Sequence, residues 1–153
     1  MTDHKLGHGF AGFWERFAAY LLDTVILGAV TYLISLIFLP LDFLTGFYPE
    51  ILGIVSASID VVRFLLSVIV PWLYFAFMES SKRQATLGKI AIGLKVTDLN
   101  GKKLTFSRAT GRFFSKFLSV LTLMIGYVIA AFTEKRQALH DMIAGTFVIR
   151  GRS

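Results

Sequence analysis

Two ionisable residues lie close together near the start of an otherwise apolar stretch. Arg16 precedes Asp23, which is the only charged residue from Phe17 to Leu41. Their spacing is about two helical turns, so both side chains share one helix face about 10 Å apart along the axis. A long arginine side chain or a bridging water can join them. Two interpretations stay open, a carboxylate that exchanges a proton or a structural ion pair that locks helix packing.

The surroundings of this pair indicate that lipid is the solvent for most of the chain. Apolar residues make up 55% and charged residues 17% of the 153 residues, and the mean hydropathy is +0.66. A hydrocarbon core about 30 Å thick needs about 20 apolar helical residues to cross it. Stretches of this kind predict membrane helices near 14–39, 59–79 and 110–133. The first is longer than the apolar region of a signal peptide, so it is expected to be retained.

The positive charges gather on one side of these predicted helices. No Lys or Arg occurs between Arg16 and Arg63, whereas the loop 80–109 is rich in both. Short basic loops stay in the cytoplasm, so this loop and the N-terminus are predicted to be cytoplasmic. The mildly acidic connection between the first two helices is then external. Anionic lipid headgroups are the expected partners of the basic loop, and no nucleic-acid partner is expected.

The C-terminal tail conflicts with this orientation, since three full crossings would place its basic residues outside. These residues are Lys135, Arg136, Arg150 and Arg152. One solution is that 110–133 forms a broken or re-entrant helix that turns near Gly126 and returns the tail to the cytoplasm. The other is a plain third crossing with a translocated basic tail. Both remain open from the sequence.

Short strands are predicted on the cytoplasmic side. Segments 93–97 and 102–106 flank an Asn100-Gly101 turn, which is typical of a β-hairpin. The stretch 145–150 is also strand-like and would add a third strand if the tail is cytoplasmic. The predicted fold class is therefore an all-α integral membrane protein, with about three membrane helices and a small cytoplasmic β-hairpin. It forms a single domain over 1–153.

Few residues elsewhere in the sequence could take part in chemistry. Arg63 can pair with Asp60 at i, i+3 or extend outward. The sequence contains no cysteine and shows no hydrolase or transferase constellation. Neither an enzymatic activity nor a bound metal or cofactor is therefore predicted.

Three motifs resemble the signature of the RDD family, which is named for an arginine and an aspartate in the first membrane segment and an aspartate near the third. They are Ala11-Gly12-Phe13-Trp14-Glu15-Arg16 with Asp23, Gln84-Ala85-Thr86-Leu87-Gly88-Lys89 with Gly93, and Arg136-Gln137-Ala138-Leu139-His140-Asp141 with Gly145-Thr146. The resemblance covers nearly the whole chain. It implies a multi-pass protein of the bacterial membrane with a suspected role in transport, and cation/proton exchange is proposed for some members.

The orientation and the resemblance together define a candidate site. With a cytoplasmic N-terminus, five ionisable residues approach the cytoplasmic interface: Arg16, Asp23, Glu79, Lys89 and Asp141. Intramembrane charges suggest function because they are costly in lipid. The expected function is transport, by proton-coupled exchange of a monovalent cation at Asp23 and Arg16. The alternative is a non-catalytic adaptor or assembly factor whose basic loop meets lipid or a protein. Because three helices enclose little space, transport would also imply a homo-oligomer.

Overall fold

The computed structural model of the protein describes residues 9–121 and 136–151. Two long helices come first: α1 spans Phe13–Phe47 and α2 spans Pro49–Ser80, with Tyr48 between them. Both are long and apolar enough to cross a membrane. The first two predicted membrane helices are therefore confirmed.

The connection between these helices is much shorter than the sequence suggests. The stretch 40–58 is helical on either side of Tyr48, so the prediction of a connecting loop over these residues is wrong. Pro49 accounts for the immediate restart of the helix, because proline at the first helical position has a suitable φ and needs no backbone hydrogen bond. The acidic residues Asp42 and Glu50 consequently lie on helices.

Residues 24–71 form one compact unit. Its long apolar side chains are largely exposed, as expected of helices whose solvent is lipid. Its charged cluster centres on Arg63, which bonds to Asp42 and has a nitrogen 3.6 Å from a carboxylate oxygen of Asp60. The predicted pair of Asp60 and Arg63 is confirmed. Asp42 is a further partner, brought close only by the fold.

The other compact unit is described over 9–23, 72–121 and 136–151. Besides the ends of α1 and α2 it holds five short elements: α3 (Leu87–Ile92), β1 (Leu94–Asp98), α4 (Phe106–Leu121), α5 (Leu139–Ala144) and β2 (Thr146–Arg150). Small and branched apolar side chains fill its core: Ala11, Ala19, Ala76, Leu94, Val96, Leu104, Ala109 and Val148. The abundance of alanine allows backbones to approach closely.

The two strands join the loop to the tail. β1 and β2 pair antiparallel, with Val96 opposite Val148. The predicted small antiparallel sheet is confirmed, and so is the predicted strand in the tail. The strand predicted at 102–106 is wrong, because α4 begins at Phe106 and the tail takes the place beside β1. Four of the five residues of β2 are buried, so the tail strand packs apolar side chains beside β1. The segment 102–106 begins with the exposed Lys102 and Lys103 and could not do so.

This pairing relates the side of the membrane on which the tail lies to that of the loop 80–109. Strands that exchange backbone hydrogen bonds cannot lie on opposite faces of a bilayer, so the tail shares a side with the loop 80–109. Phe10 bridges to Ile149, which brings the N-terminal segment to the same side. The structure therefore excludes the plain third crossing. The turn predicted near Gly126 lies outside the described residues.

The loop and the tail contain two copies of one structural unit. Each begins at a residue with positive φ, Gln84 at 55° and Arg136 at 48°. Each continues through an extended N-cap residue, a six-residue helix and a left-handed glycine into a strand. Residues 84–98 thus correspond one to one with 136–150. Val96 and its counterpart Val148 pair with each other, so a pseudo-twofold axis passes between them.

Helices α1 and α4 are related by the same pseudo-twofold symmetry. The Arg150 amide donates to the carbonyl of Gly9 at 3.1 Å, and its counterpart Asp98 donates to Lys102 at 2.9 Å. α1 begins four residues after Gly9, and α4 begins four residues after Lys102. The sequence conceals the repeat because identical pairs are few: Leu87/Leu139, Gly93/Gly145 and Val96/Val148.

Candidate functional site

Asp23 is buried in α1, with 1% of its surface exposed, and its carboxylate accepts three hydrogen bonds. The hydroxyl of Tyr74 donates to Oδ1 at 2.7 Å, and the hydroxyl of Thr86 donates to Oδ2 at 2.5 Å. The Gly88 amide donates to Oδ1 at 2.8 Å. No ion pair recorded within 9–121 and 136–151 includes Asp23. Its ligands are therefore neutral groups.

The start of α3 is shaped to receive this carboxylate. Thr86 is the N-cap, and its hydroxyl oxygen also accepts a bond from the Lys89 amide at 3.5 Å. Gly88 follows at the point of closest approach to α1. A Cβ atom there would lie 2.2 Å from the carbonyl oxygen of Ala19 and 2.8 Å from the carboxyl carbon of Asp23. Only glycine allows the two segments to meet at this distance.

Arg16 lies elsewhere than the sequence predicts. The sequence allowed a direct contact with Asp23 or one through a bridging water, and the direct contact is not formed. Nη1 of Arg16 bonds to Oδ2 of Asp141, and Nε donates to the carbonyl of Ala11 at 3.2 Å. Asp141, another residue of the predicted candidate site, is thus the acid that contacts Arg16. Spacing along one helix could not identify the true partner, because Asp141 comes from the far end of the chain.

A chain of buried charges continues from this pair. Arg112 donates to Oδ1 of Asp141 at 2.8 and 2.6 Å and to Oε1 of Glu79 at 2.6 Å. Nζ of Lys89 donates to the same Glu79 oxygen at 2.5 Å. Three cations and two carboxylates thus alternate from Arg16 to Lys89, all largely or fully buried. The predicted residues Glu79, Lys89 and Asp141 therefore meet, and Asp23 lies apart from them.

Arg112, the central member of this series of charges, is not among the site residues predicted from the sequence. The useful signal was its place inside the apolar stretch predicted to enter the membrane at 110, where a charge needs a partner. Only 2% of its side chain is exposed.

Burial and neighbouring charges set the protonation of this cluster. Burial raises the pKa of Asp141, but the positive charges of Arg112 and Arg16 outweigh it and hold that pKa well below its usual range. Burial lowers the pKa of Lys89, against the opposing effect of Glu79. Burial also lowers the pKa of His140 from 6.5 to about 3, so this imidazole is neutral near pH 7.

The other motif residues form the repeated turns. Gln84 accepts from the Val96 amide at 2.7 Å through its carbonyl, and its side chain donates to the Val96 carbonyl at 3.2 Å. Gly93 and Gly145 end α3 and α5 at φ of 77° and 60°. Thr146 is buried and its hydroxyl donates to the carbonyl of Asp141 at 3.4 Å. These residues hold the site in place.

The described residues contain no group of three or more His, Asp and Glu side chains that could bind a metal ion. The oxygen atoms around Asp23 instead make a mixed set of carboxylate, hydroxyl and carbonyl groups. Hard cations prefer such ligands.

The chain belongs to the RDD family, whose model matches residues 10–145. It is similar to two proteins of Bacillus subtilis (strain 168): YxaI, 34% identical over 91% of this chain and 96% of that protein, and YteJ, an uncharacterized membrane protein, 37% identical over 94% of this chain and 83% of that protein. No solved structure matches the chain. Family and helices together define an RDD-family membrane protein.

Proposed function

We propose that the protein exchanges a monovalent cation for a proton at Asp23. The observation that carries this proposal is the contrast between Asp23, whose carboxylate is bonded to neutral donors, and the carboxylates of Glu79 and Asp141, each bonded to two cationic side chains. Protonating Glu79 or Asp141 would leave buried cations without counter-charge, at a cost of several kcal/mol. Protonating Asp23 would leave no buried cation without a counter-charge.

The same neutral donors can serve as cation ligands. A hydroxyl group carries two lone pairs besides its proton. The Leu87 amide donates to the Tyr74 hydroxyl at 3.0 Å and the Lys89 amide to the Thr86 hydroxyl at 3.5 Å, so each oxygen keeps one lone pair that can turn toward a cation bound at Asp23. The carbonyl oxygen of Ala19 faces the same small region beside Gly88. A sodium-like ion prefers an all-oxygen set of this kind. One carboxylate that binds either a proton or a cation provides the competition that exchange requires.

The proposal includes orientation and partners. The loop 80–109 faces the cytoplasm at the inner bacterial membrane, with its lysines and arginines at the anionic headgroups. The N-terminal segment and the tail share that side through the sheet. The cation path runs between copies of the chain in a homo-oligomer. No catalytic step and no nucleic acid belong to this proposal.

Flux into sealed proteoliposomes tests the proposal. With an imposed pH gradient, wild-type protein should move Li⁺, Na⁺ or K⁺ against protons, and the flux should fall as external protons compete for the same site. Empty liposomes and liposomes without a gradient provide the baseline. Absence of coupled flux for every cation would refute exchange.

The alternative function is the adaptor. It is favoured by exposed basic residues of the loop that take part in no ion pair within the described ranges, among them Lys82, Arg83, Lys102 and Lys103. An adaptor would need this surface and would tolerate loss of the charge at Asp23.

A further inference from the structure

A groove of about 420 Å³ opens between the first turns of α4 and the end of α5. Ser107, Arg108 and Ser115 supply polar groups to its lining, and Ile143 and Ala144 supply an apolar side. The Arg108 side chain is 47% exposed, and its Nη1 lies 3.7 Å from a carboxylate oxygen of Asp98. A guanidinium has five N–H donors, so this long contact leaves most of them available.

Charge and position indicate what the groove receives. Lys102 and Lys103 are exposed just before Arg108, so the surface leading into the groove is basic. α4 is the start of the segment predicted to enter the membrane near 110, and Phe106 and Phe114 are exposed on it. Aromatic and basic side chains together are typical of the headgroup level of a bilayer. A groove with a cationic side and an apolar side at that level complements an anionic phospholipid.

The structural repeat provides an internal comparison. When the first residues of α1 and α4 are aligned, Arg108 and Ser115 on α4 correspond to Glu15 and Leu22 on α1. The first copy therefore has an acid and an apolar residue where the second has a cation and a hydroxyl. The polar lining is thus particular to the second copy and is not a by-product of the repeated backbone.

We propose that this groove binds one anionic phospholipid, with its phosphate at Arg108 and Ser107 and its acyl chain beside Ile143. The proposal rests on the proposed placement of the basic loop at the headgroups and does not depend on cation exchange. It assigns a specific lipid site to the basic surface, which otherwise attracts anionic headgroups only by nonspecific electrostatics.

Lipid binding to the detergent-solubilised full chain tests this site by native mass spectrometry. The probes are dioleoyl phosphatidylglycerol, dioleoyl phosphatidylcholine with the same acyl chains, and inorganic phosphate. Wild-type protein should retain phosphatidylglycerol in preference to both others. Arg108→Gln should weaken that binding about fivefold, the effect of removing one cation at a headgroup. Lys82→Gln removes an exposed charge outside the groove and should have a much smaller effect.

A second variant blocks the groove without changing a charge, so it tests lipid binding there independently of electrostatics. Gly111 lines the groove, and nothing lies within 4 Å of a Cβ placed on it, so Gly111→Leu directs an apolar side chain from an open position into the groove. It should displace phosphatidylglycerol, whereas Gly28→Leu, equally open on α1, should not. Wild-type binding in both Arg108→Gln and Gly111→Leu would overturn the proposal, as would equal losses in Arg108→Gln and Lys82→Gln. Equal retention of inorganic phosphate would show an anion site without lipid selectivity and would also overturn it. Cation flux is measured separately, so failure of either proposal leaves the other measurable.

Discussion

Lys89 and Asp141 occupy the same position in the two copies of the repeated unit and carry opposite charges. Each is the third residue of its six-residue helix, and each is buried. They are connected through Glu79 and Arg112, which bond to one another between them. The pseudo-twofold axis of the sheet therefore relates a cation to an anion, and the charged chain ties the two copies together.

The charges in this series of ion-paired side chains predict that removing different members will destabilise the protein by different amounts. Among the five bonded side chains, three cations and two acids, Lys89→Gln leaves the charges equal, whereas Asp141→Asn leaves two excess buried cations. Lys116, which interacts electrostatically with Glu79 and Asp141, is present in both variants. Asp141→Asn should destabilise the protein by about 3–5 kcal/mol, and Lys89→Gln by clearly less. Unfolding in detergent, with yield as a second readout, measures both. Equal losses for the two variants would show that charge balance does not govern the cluster.

Gly88→Ala should prevent α3 from docking against α1. The added methyl group would lie 2.2 Å from a backbone oxygen that cannot move without shifting the helix. Detergent-stable yield should fall severely, and the hydrogen bond from the Gly88 amide to Asp23 should be lost. Gly111→Ala is the matched control, since its methyl group meets open space. A normally folded Gly88→Ala protein would contradict the close approach.

His140 should make the protein sensitive to mild acid. Its folded pKa of about 3 lies below the ordinary 6.5, so the unfolded state binds more protons between these values. Stability is then constant above the higher value and falls as the pH decreases, by about 1–2 kcal/mol at pH 5. His140→Gln removes this titration and should flatten the dependence from about pH 7 to 5. An unchanged slope in the variant would assign the acid sensitivity to another group.

Labelling can test the shared side of loop and tail, because the natural sequence has no cysteine. Single cysteines at Asn100 and after Ser153 should both be protected from a membrane-impermeant maleimide added to intact cells. A cysteine at Tyr48, between α1 and α2, should react. Labelling after Ser153 without labelling at Asn100 would be incompatible with the pairing of β1 and β2.

The sequence predicts local features of this fold well and its partners less well. Apolar length predicts α1 and α2, and the strand-like composition of 145–150 predicts β2, because these signals depend on neighbouring residues. The partner of Arg16 comes from the opposite end of the chain, so helical spacing pointed to Asp23 instead. Arg112 was overlooked for the same reason, since its two carboxylates come from different elements. The repeat escaped notice because backbone geometry is retained where side chains differ.

The most direct test of the account compares two aspartates of α1 in the same flux experiment. Asp23→Asn keeps the size of the side chain, and its amide oxygen can still accept from Tyr74 and Gly88. The Thr86 hydroxyl, which now donates to Oδ2, would have to turn and accept from the amide nitrogen. The charge is removed, so the protein should assemble and lose proton-coupled cation flux. Asp42→Asn makes the identical change on the same helix, in a residue that instead pairs with Arg63. It should keep flux close to wild type per folded protein. Wild-type flux in Asp23→Asn would contradict the assignment of cation and proton binding to Asp23.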